Sequence, residues 1–191
     1  MRVSIYRKLL QTATLGFGVD LEALRNDKSL RLVGLLGLVE LPRFTEIAGI
    51  RWKRKQEIHV SLLNCSGGLN EKVARRRSVS LDQAKSIVKE SIIKNALKFL
   101  AGRHDVTTLP VLHLIEKGTD RSLVLRCSFS ADTQDKIRQL SGALFNELGD
   151  YPEICPPHAT LYIGTHQRFG IGISSEEAIA KYTKQVWTSN Q

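Results

Sequence analysis

The predicted order of helices and strands places this chain in the α+β class. Three observations indicate that class: strand-type alternation before residue 63, two amphipathic helical segments, and a hairpin between those segments. The predicted order is strand, helix, hairpin, helix, strand, helix, which favours a largely antiparallel sheet covered by helices. The 191 residues suit one domain, residues 1–191, with residues 1–40 as an N-terminal extension of uncertain structure.

Alternation of apolar and polar side chains is clearest in residues 44–63 and predicts a strand there. Three apolar residues share one face of its second half: Ile58, Val60 and Leu62. Before this segment, residues 20–24 fit a short helix, and residues 32–41 fit either a buried strand or a buried helical segment. Residues 64–79 are polar, basic and contain glycine, so a loop is expected.

Helical periodicity follows this segment. Ser80 and Gln83 form a capping-box signature ahead of an apolar period of about 3.6 residues that runs to Gly102. The remaining predicted elements are a hairpin over residues 111–129, a helix over residues 131–148, a strand over residues 158–164 and a helix that begins near residue 174.

Positive charge is concentrated in the first part of the chain. The formal net charge is +9, and 20 of the 28 basic side chains lie within residues 1–103. Two dense clusters, residues 51–55 and 72–77, carry enough charge to attract the phosphates of a nucleic acid. Charge alone does not separate such a surface from an ordinary solvated face.

Several protein classes lack support in the sequence. Three widely spaced cysteines indicate a reducing compartment, and we expect a cytoplasmic protein. No apolar stretch approaches the roughly 20 residues needed to span a bilayer, so no membrane association is expected. A glycine-rich phosphate loop, a G-x-S-x-G elbow and an H-E-x-x-H motif are all missing, which disfavours nucleotide triphosphatases, serine hydrolases and zincins.

Two predicted strands share the pattern H-x-[ST]-L. The segments are His59-Val60-Ser61-Leu62 and His158-Ala159-Thr160-Leu161. Because strand side chains alternate, each segment presents an imidazole and a hydroxyl on one face. Two imidazoles can serve as acid and base near neutral pH, and hydroxyls can donate hydrogen bonds to phosphoryl oxygens. The pattern therefore predicts phosphodiester chemistry, and one good ligand per strand is a poor fit to a metal centre.

These two motifs resemble those of the two-histidine (2H) phosphoesterase superfamily, which includes bacterial RNA 2′,3′-cyclic phosphodiesterases and RNA-end processing enzymes. The resemblance covers roughly residues 40–165. It implies two pseudo-symmetric lobes of antiparallel sheet with a central cleft between the motif strands, and neither metal nor cofactor. It also implies that His59 and His158 are the acid/base pair and that Ser61 and Thr160 bind the phosphate.

Contacts to the rest of an RNA or nucleotide substrate are predicted at five residues. Basic side chains can hold a phosphate backbone, and aromatic rings can stack on a base. The candidates are Tyr162, Trp52, Lys53, Arg54 and Tyr151. An ordinary core or surface role is the alternative for each of them.

Together with the resemblance, the motifs therefore predict a metal-independent hydrolase that opens the 2′,3′-cyclic phosphate of an RNA end or a nucleotide. Two other hypotheses remain. The first is a non-catalytic RNA-binding module that recognises a terminal phosphate or a 2′–5′ linkage with the same residues. The second places both histidines in the core of an unrelated α+β protein.

Overall fold

The computed structural model describes residues 14–19, 29–33, 41–64 and 68–188. These residues contain ten strands and four helices, and every strand pairing among them is antiparallel. The predicted α+β class is therefore confirmed. The helix expected at residues 20–24 and most of the apolar run at residues 32–41 lie outside the described residues.

The elements are numbered in chain order. The strands are β1 (Thr14–Val19), β2 (Ser29–Val33), β3 (Phe44–Ile47), β4 (Ile50–Arg54), β5 (His59–Asn64), β6 (His104–Lys117), β7 (Asp120–Phe129), β8 (Glu153–Ile154), β9 (His158–Gly164) and β10 (Thr183–Thr188). The helices are α1 (Gly68–Arg77), α2 (Leu81–Phe99), α3 (Ala131–Leu148) and α4 (Glu176–Tyr182).

The strands belong to one sheet that returns on itself. Its order is β3-β4-β9-β7-β6-β1-β2-β5-β8, with β10 paired to β6. In addition, β5 pairs with β9 through Val60 and Ala159. This pair closes a ring of six strands that runs from β9 through β7, β6, β1 and β2 to β5. The closure brings together the two strands that carry the histidine motifs.

The two faces of the sheet are covered differently. The main core lies between one face and helices α1, α2 and α3, and includes Val73, Val88, Leu125, Leu140 and Ala159. A smaller apolar cluster joins the other face to the chain around α4; its members are Ile115, Val124, Ile171, Ile173 and Ile179. The second face is therefore only partly covered by apolar side chains, which leaves room for a polar site beside that cluster.

Local signals account for the two longest helices. Ser80 caps α2, and both hydrogen bonds of the predicted capping box are present, from Gln83 N to the Ser80 hydroxyl and from Ser80 N to the Gln83 side chain. Helix α3 begins after Ser130 and ends at Gly149, whose φ of 77° is a left-handed conformation that favours glycine. The predictions for both helices are confirmed.

Two sequence predictions are corrected. Residues 44–63 form three strands rather than one, because Ala48 and Gly49 both adopt positive φ and turn the chain between β3 and β4. The loop expected over residues 64–79 contains helix α1. That helix buries only Leu69 and Val73, so the apolar period that normally reveals a helix is too sparse to read.

The C-terminal part follows the predicted order and adds one strand. Helix α4 begins after Ser175, whose hydroxyl accepts a hydrogen bond from Ala178 N. The chain then continues directly into β10, which the sequence pattern did not predict. Among the residues described, no helix has the length and apolar character needed to cross a membrane.

Candidate active site

The two histidine motifs lie side by side in the sheet. Val60 of β5 and Ala159 of β9 are Cα partners, and both are fully buried in the main core. Side chains alternate along a strand, so the motif residues on either side of this pair belong to the opposite face. That face is the one which the α4 region covers only in part.

Because β5 and β9 are antiparallel, the histidine of each motif lies opposite the hydroxyl residue of the other motif. With Val60 opposite Ala159, the neighbouring positions place His59 opposite Thr160 and Ser61 opposite His158. Each imidazole therefore has the hydroxyl of the other motif as its direct neighbour, and the two histidines are diagonal neighbours. Diagonal positions in an antiparallel pair are about 7–8 Å apart, which is within reach of two imidazole side chains.

His158 is buried and has a fixed orientation. Its side chain is 6% exposed, and Nδ1 lies 2.6 Å from the carbonyl oxygen of Pro156. A carbonyl only accepts, so Nδ1 donates and Nε2 carries the lone pair of the neutral ring. Burial lowers the pKa of His158, and the positive charges of Arg126 and Lys55 lower it further. The ring is therefore prepared to accept a proton.

His59 has a different environment. Its Nδ1 lies 3.1 Å from Glu57 Oε1, and its side chain is 13% exposed. Because the carboxylate accepts this hydrogen bond, Nδ1 donates and Nε2 is the second nitrogen of the site. The Lys55 ammonium lies 3.4 Å from that Nε2. Both histidines are thus anchored through Nδ1, and Nε2 of His59 contacts Lys55.

Gly170 packs closely against the side chain of Thr160, the hydroxyl residue of the second motif. Thr160 is 6% exposed, and a Cβ added at Gly170 would lie 2.9 Å from its Cγ2. Only a residue without a side chain lets the 170–173 segment pack this closely on Thr160. Ser61, the hydroxyl of the first motif, is partly buried.

Two predicted substrate contacts are corrected because their rings are buried. Trp52 is fully buried, and its indole Nε1 donates to the carbonyl of Ile47 at 3.2 Å. Tyr162 is also fully buried, and its hydroxyl donates to the carbonyl of Pro42 at 3.2 Å. Neither ring is placed to touch a base or a phosphate.

A β-bulge explains the position of Tyr162. Val124 pairs with Thr160, whereas the adjacent Leu123 pairs with Tyr162, so Leu161 is an extra residue on β9. The bulge shifts the alternation by one residue. Tyr162 therefore joins the main core instead of sharing the face of Thr160.

The other predicted contacts are polar or exposed. Lys53 Nζ donates to the carbonyl of Gln167 at 3.4 Å, and Arg54 Nη1 donates to the carbonyl of Leu41 at 2.7 Å. These bonds connect β4 to neighbouring segments. Tyr151 is 58% exposed and stacks on Phe145 of α3, with ring centroids 4.3 Å apart. Their predicted contacts with substrate stay predictions.

The basic cluster at residues 72–77 has structural partners. Arg76 and Arg77 donate to the carbonyls of Leu148 and Glu147, at 3.2 Å and 2.6 Å. They therefore satisfy carbonyls at the C-terminus of α3, where helical carbonyls lack intrahelical partners. Lys72 forms an ion pair with Asp150.

Sequence reasoning did not single out two cations of the site. Arg126 is the Cα partner of His158 on β7, and Lys55 contacts His59. Lys55 belongs to the basic cluster at residues 51–55, which the sequence indicates as a surface that attracts phosphate, and this cluster was the available signal. Arg126 had no local signal, because the β7–β9 pairing joins segments more than 30 residues apart.

The fold and these contacts define an antiparallel α+β protein with a paired-histidine site. In the part of the chain that the structure describes, no three His, Cys, Asp or Glu side chains form a group suited to a metal ion. No family model, no curated protein and no solved structure matches this chain.

Proposed function

We propose that this protein is a metal-independent phosphodiesterase that hydrolyses 2′,3′-cyclic phosphates of RNA ends or nucleotides. The supporting observation is the pairing of Val60 with Ala159, which sets the two motifs antiparallel on one face of the sheet. A cyclic phosphate between the two imidazoles would have one base and one acid on opposite sides of phosphorus. The crossed register also supports the two pseudo-symmetric lobes with a central cleft that the resemblance implies.

The surroundings of the histidines support a division of roles. Neutral His158 takes a proton from water through Nε2 while the water oxygen forms a bond to phosphorus. The bond from phosphorus to one ribose oxygen breaks, and His59, oriented by Glu57, gives a proton to that oxygen. The product is a ribose phosphomonoester with one free hydroxyl.

The two hydroxyls supply hydrogen bonds to the phosphoryl oxygens. Ser61 and Thr160 lie on the same face as the histidines, one from each motif strand. Negative charge on the non-bridging oxygens grows as water attacks, and fixed donors stabilise that charge. The close packing of Gly170 on Thr160 keeps the second hydroxyl in place.

Substitution of each histidine tests the proposal. We expect wild-type protein to hydrolyse 2′,3′-cyclic nucleotides in excess chelator, and His59→Ala and His158→Ala each to lower kcat by about 10²–10⁴-fold. His166→Ala is the matched control, since that ring is 60% exposed on the loop after β9. Circular dichroism of each variant checks that the fold is retained.

The same assay separates the RNA-binding alternative. Full activity in either motif variant would contradict the assigned roles. Binding of a cyclic-phosphate-ended oligonucleotide without product, with affinity that falls steeply as salt rises, would instead identify a non-catalytic module. The concentration of basic residues in the first part of the chain is the observation that favours this second candidate.

A further inference from the structure

We infer that Lys55 is a third catalytic group, which binds a non-bridging phosphoryl oxygen and, by giving up its contact with His59 as it does so, couples phosphate binding to protonation of His59. This inference rests on the proposed function. It also predicts that inorganic phosphate binds at Lys55, which can be measured without any catalytic reaction.

Lys55 is tied to both motif strands. It follows the last residue of β4, and its backbone N–H donates to the carbonyl of Leu161 on β9 at 2.8 Å. Its side chain extends to β5, where Nζ lies 3.4 Å from Nε2 of His59. The ammonium therefore lies within the space where the two motifs meet.

The charge of Lys55 also acts on the second histidine. It is one of two cations that lower the pKa of His158, the other being Arg126. The Arg126 guanidinium is held by Glu176 in a two-bond fork, at 2.9 Å and 2.5 Å. Arg126 is therefore held by α4, whereas Nζ of Lys55 faces Nε2 of His59, so Lys55 is the cation that we assign to a substrate phosphate.

The contact with His59 gives Lys55 a second role. An ammonium has only donors, so the Nε2 that faces it is the unprotonated nitrogen of a neutral ring. A neutral His59 cannot act as the acid. When a phosphate oxygen accepts the hydrogen bond of Lys55, Nε2 is released and can bind a proton from solvent. Phosphate binding and protonation of His59 are therefore coupled.

Lys55 moves no proton itself. Its N–H groups donate hydrogen bonds to the phosphoryl oxygen while water attacks, and the ammonium stays charged throughout the reaction. The stabilisation grows with the negative charge on that oxygen, so it is larger in the transition state than in the bound substrate. Its loss should therefore appear mainly in kcat.

Kinetics of Lys55→Met and Lys55→Arg test the catalytic role. We expect Lys55→Met to lower kcat by about 10²–10³-fold with a smaller rise in KM, and Lys55→Arg to recover part of the loss. Lys85→Met is the matched control, because Lys85 pairs with Asp82 on the exposed surface of α2. A Lys55→Met variant with kcat within about threefold of wild type, while His158→Ala is inactive, would overturn the inference and leave the proposed function intact.

Titration with inorganic phosphate tests the coupling without turnover. In wild type, the His59 ring signals in NMR spectra should move towards those of imidazolium as phosphate binds at constant pH. In Lys55→Met, phosphate affinity should fall by about tenfold or more. Equal affinity in the two proteins would overturn the inference. Phosphate binding that needs Lys55, in a protein inactive on every cyclic phosphate, would support the anion site and refute the proposed hydrolysis.

Discussion

The two motifs are equivalent in sequence, but their histidines have different surroundings. His158 is buried against a carbonyl oxygen with two cations nearby, whereas His59 contacts a carboxylate and an ammonium. The environment of His158 favours a neutral ring. The environment of His59 can change when an anion binds, because Lys55 can then contact the anion instead of the ring. This difference supports distinct roles for two residues that the H-x-[ST]-L pattern alone makes interchangeable.

The lowered pKa of His158 predicts a dependence of stability on pH. Between the folded-state pKa and the unfolded value of about 6.5, the unfolded chain binds a proton that the folded protein does not. The free energy of unfolding should therefore fall as pH drops from 7 to 5. Urea denaturation at pH 7, 6 and 5 measures this slope.

His158→Gln should make that slope smaller, because glutamine does not titrate and its amide can still donate to the Pro156 carbonyl. His113, whose pKa is also lowered by burial, should account for part of the remainder. An unchanged slope in His158→Gln would show that His158 does not supply the effect. Near pH 8 both states of the wild type hold a neutral ring, so the contribution of His158 to the slope should vanish there.

At the residue scale, the sequence identified the motif residues but not all their neighbours. Alternation along a strand predicted that each histidine shares a face with its hydroxyl. Unbroken alternation would also place Tyr162 on the face of Thr160, but the bulge at Leu161 shifts the alternation and Tyr162 lies in the main core. A bulge depends on how the strand pairs with its partner, and no residue of β9 indicates it in the sequence.

Among the elements, α3 is held at its C-terminus by two other helices. Residues of α1 donate to its last carbonyls, and Glu147 accepts from Ser91 Oγ at 2.6 Å and Lys94 Nζ at 2.8 Å on α2. These hydrogen bonds lower the pKa of Glu147 to about 2, with the Lys94 bond contributing most. The three helices therefore cover the main core as one packed layer.

Replacing Glu147 tests this connection. Since the side chain is one third exposed, solvent screens the pair, and Glu147→Gln should lower the free energy of unfolding by about 0.5–1 kcal/mol at pH 7. The contribution is complete above the unfolded pKa of about 4.3 and is lost as pH falls towards 2. Urea denaturation of both proteins at pH 7 and pH 3 should show a smaller difference at pH 3.

A double-mutant cycle with Lys94→Met isolates the ion pair, because the two losses should not add if Glu147 and Lys94 interact. Equal differences between wild type and Glu147→Gln at both pH values would contradict the ionised pair. This helix–helix contact lies on the other face of the sheet from the histidine motifs, so activity should not change.

Helices with capping residues and a long apolar period could be predicted from the sequence. Elements that depend on contacts with other parts of the chain could not. Helices α2 and α3 have capping residues and long apolar periods, so the sequence located both. Helix α1 buries two residues, and its arginines donate hydrogen bonds to carbonyls of α3. Its stability therefore comes mainly from contacts with the rest of the protein, which the local sequence does not reveal. Strand β10 likewise depends on a partner, because it pairs with residues 111–115 of β6, beyond the stretch of that strand that pairs with β1.

For the whole molecule, the decisive feature is that the strand pairings close on themselves. The Val60–Ala159 pair joins segments almost 100 residues apart and converts two separate motifs into one site. Composition and periodicity predicted the α+β class, but no local pattern encodes this closure. Only the resemblance implied that the motif strands would meet. The strand register adds which residues of the two motifs lie opposite each other.

A cross-link at the closing pair tests this arrangement. Cα partners in an antiparallel pair are about 4.5–5.5 Å apart, within the range that a disulfide spans. The double variant Val60→Cys/Ala159→Cys is made in a background in which the three native cysteines, Cys65, Cys127 and Cys155, are replaced by alanine. Positions 60 and 159 are fully buried in the folded protein, so the variant is oxidised during refolding, while its thiols are accessible, and should then form the disulfide.

The oxidised variant should be more stable and still active. Closing a loop of about 100 residues typically adds about 2–4 kcal/mol, which corresponds to a rise in Tm of roughly 5–15 °C. The cross-link lies on the core face, whereas the histidines and hydroxyls lie on the other, so hydrolysis should continue. The same protein in excess reductant is the control. If mass spectrometry finds no bond between residues 60 and 159, β5 and β9 do not meet, and the basis for one shared phosphate site is lost.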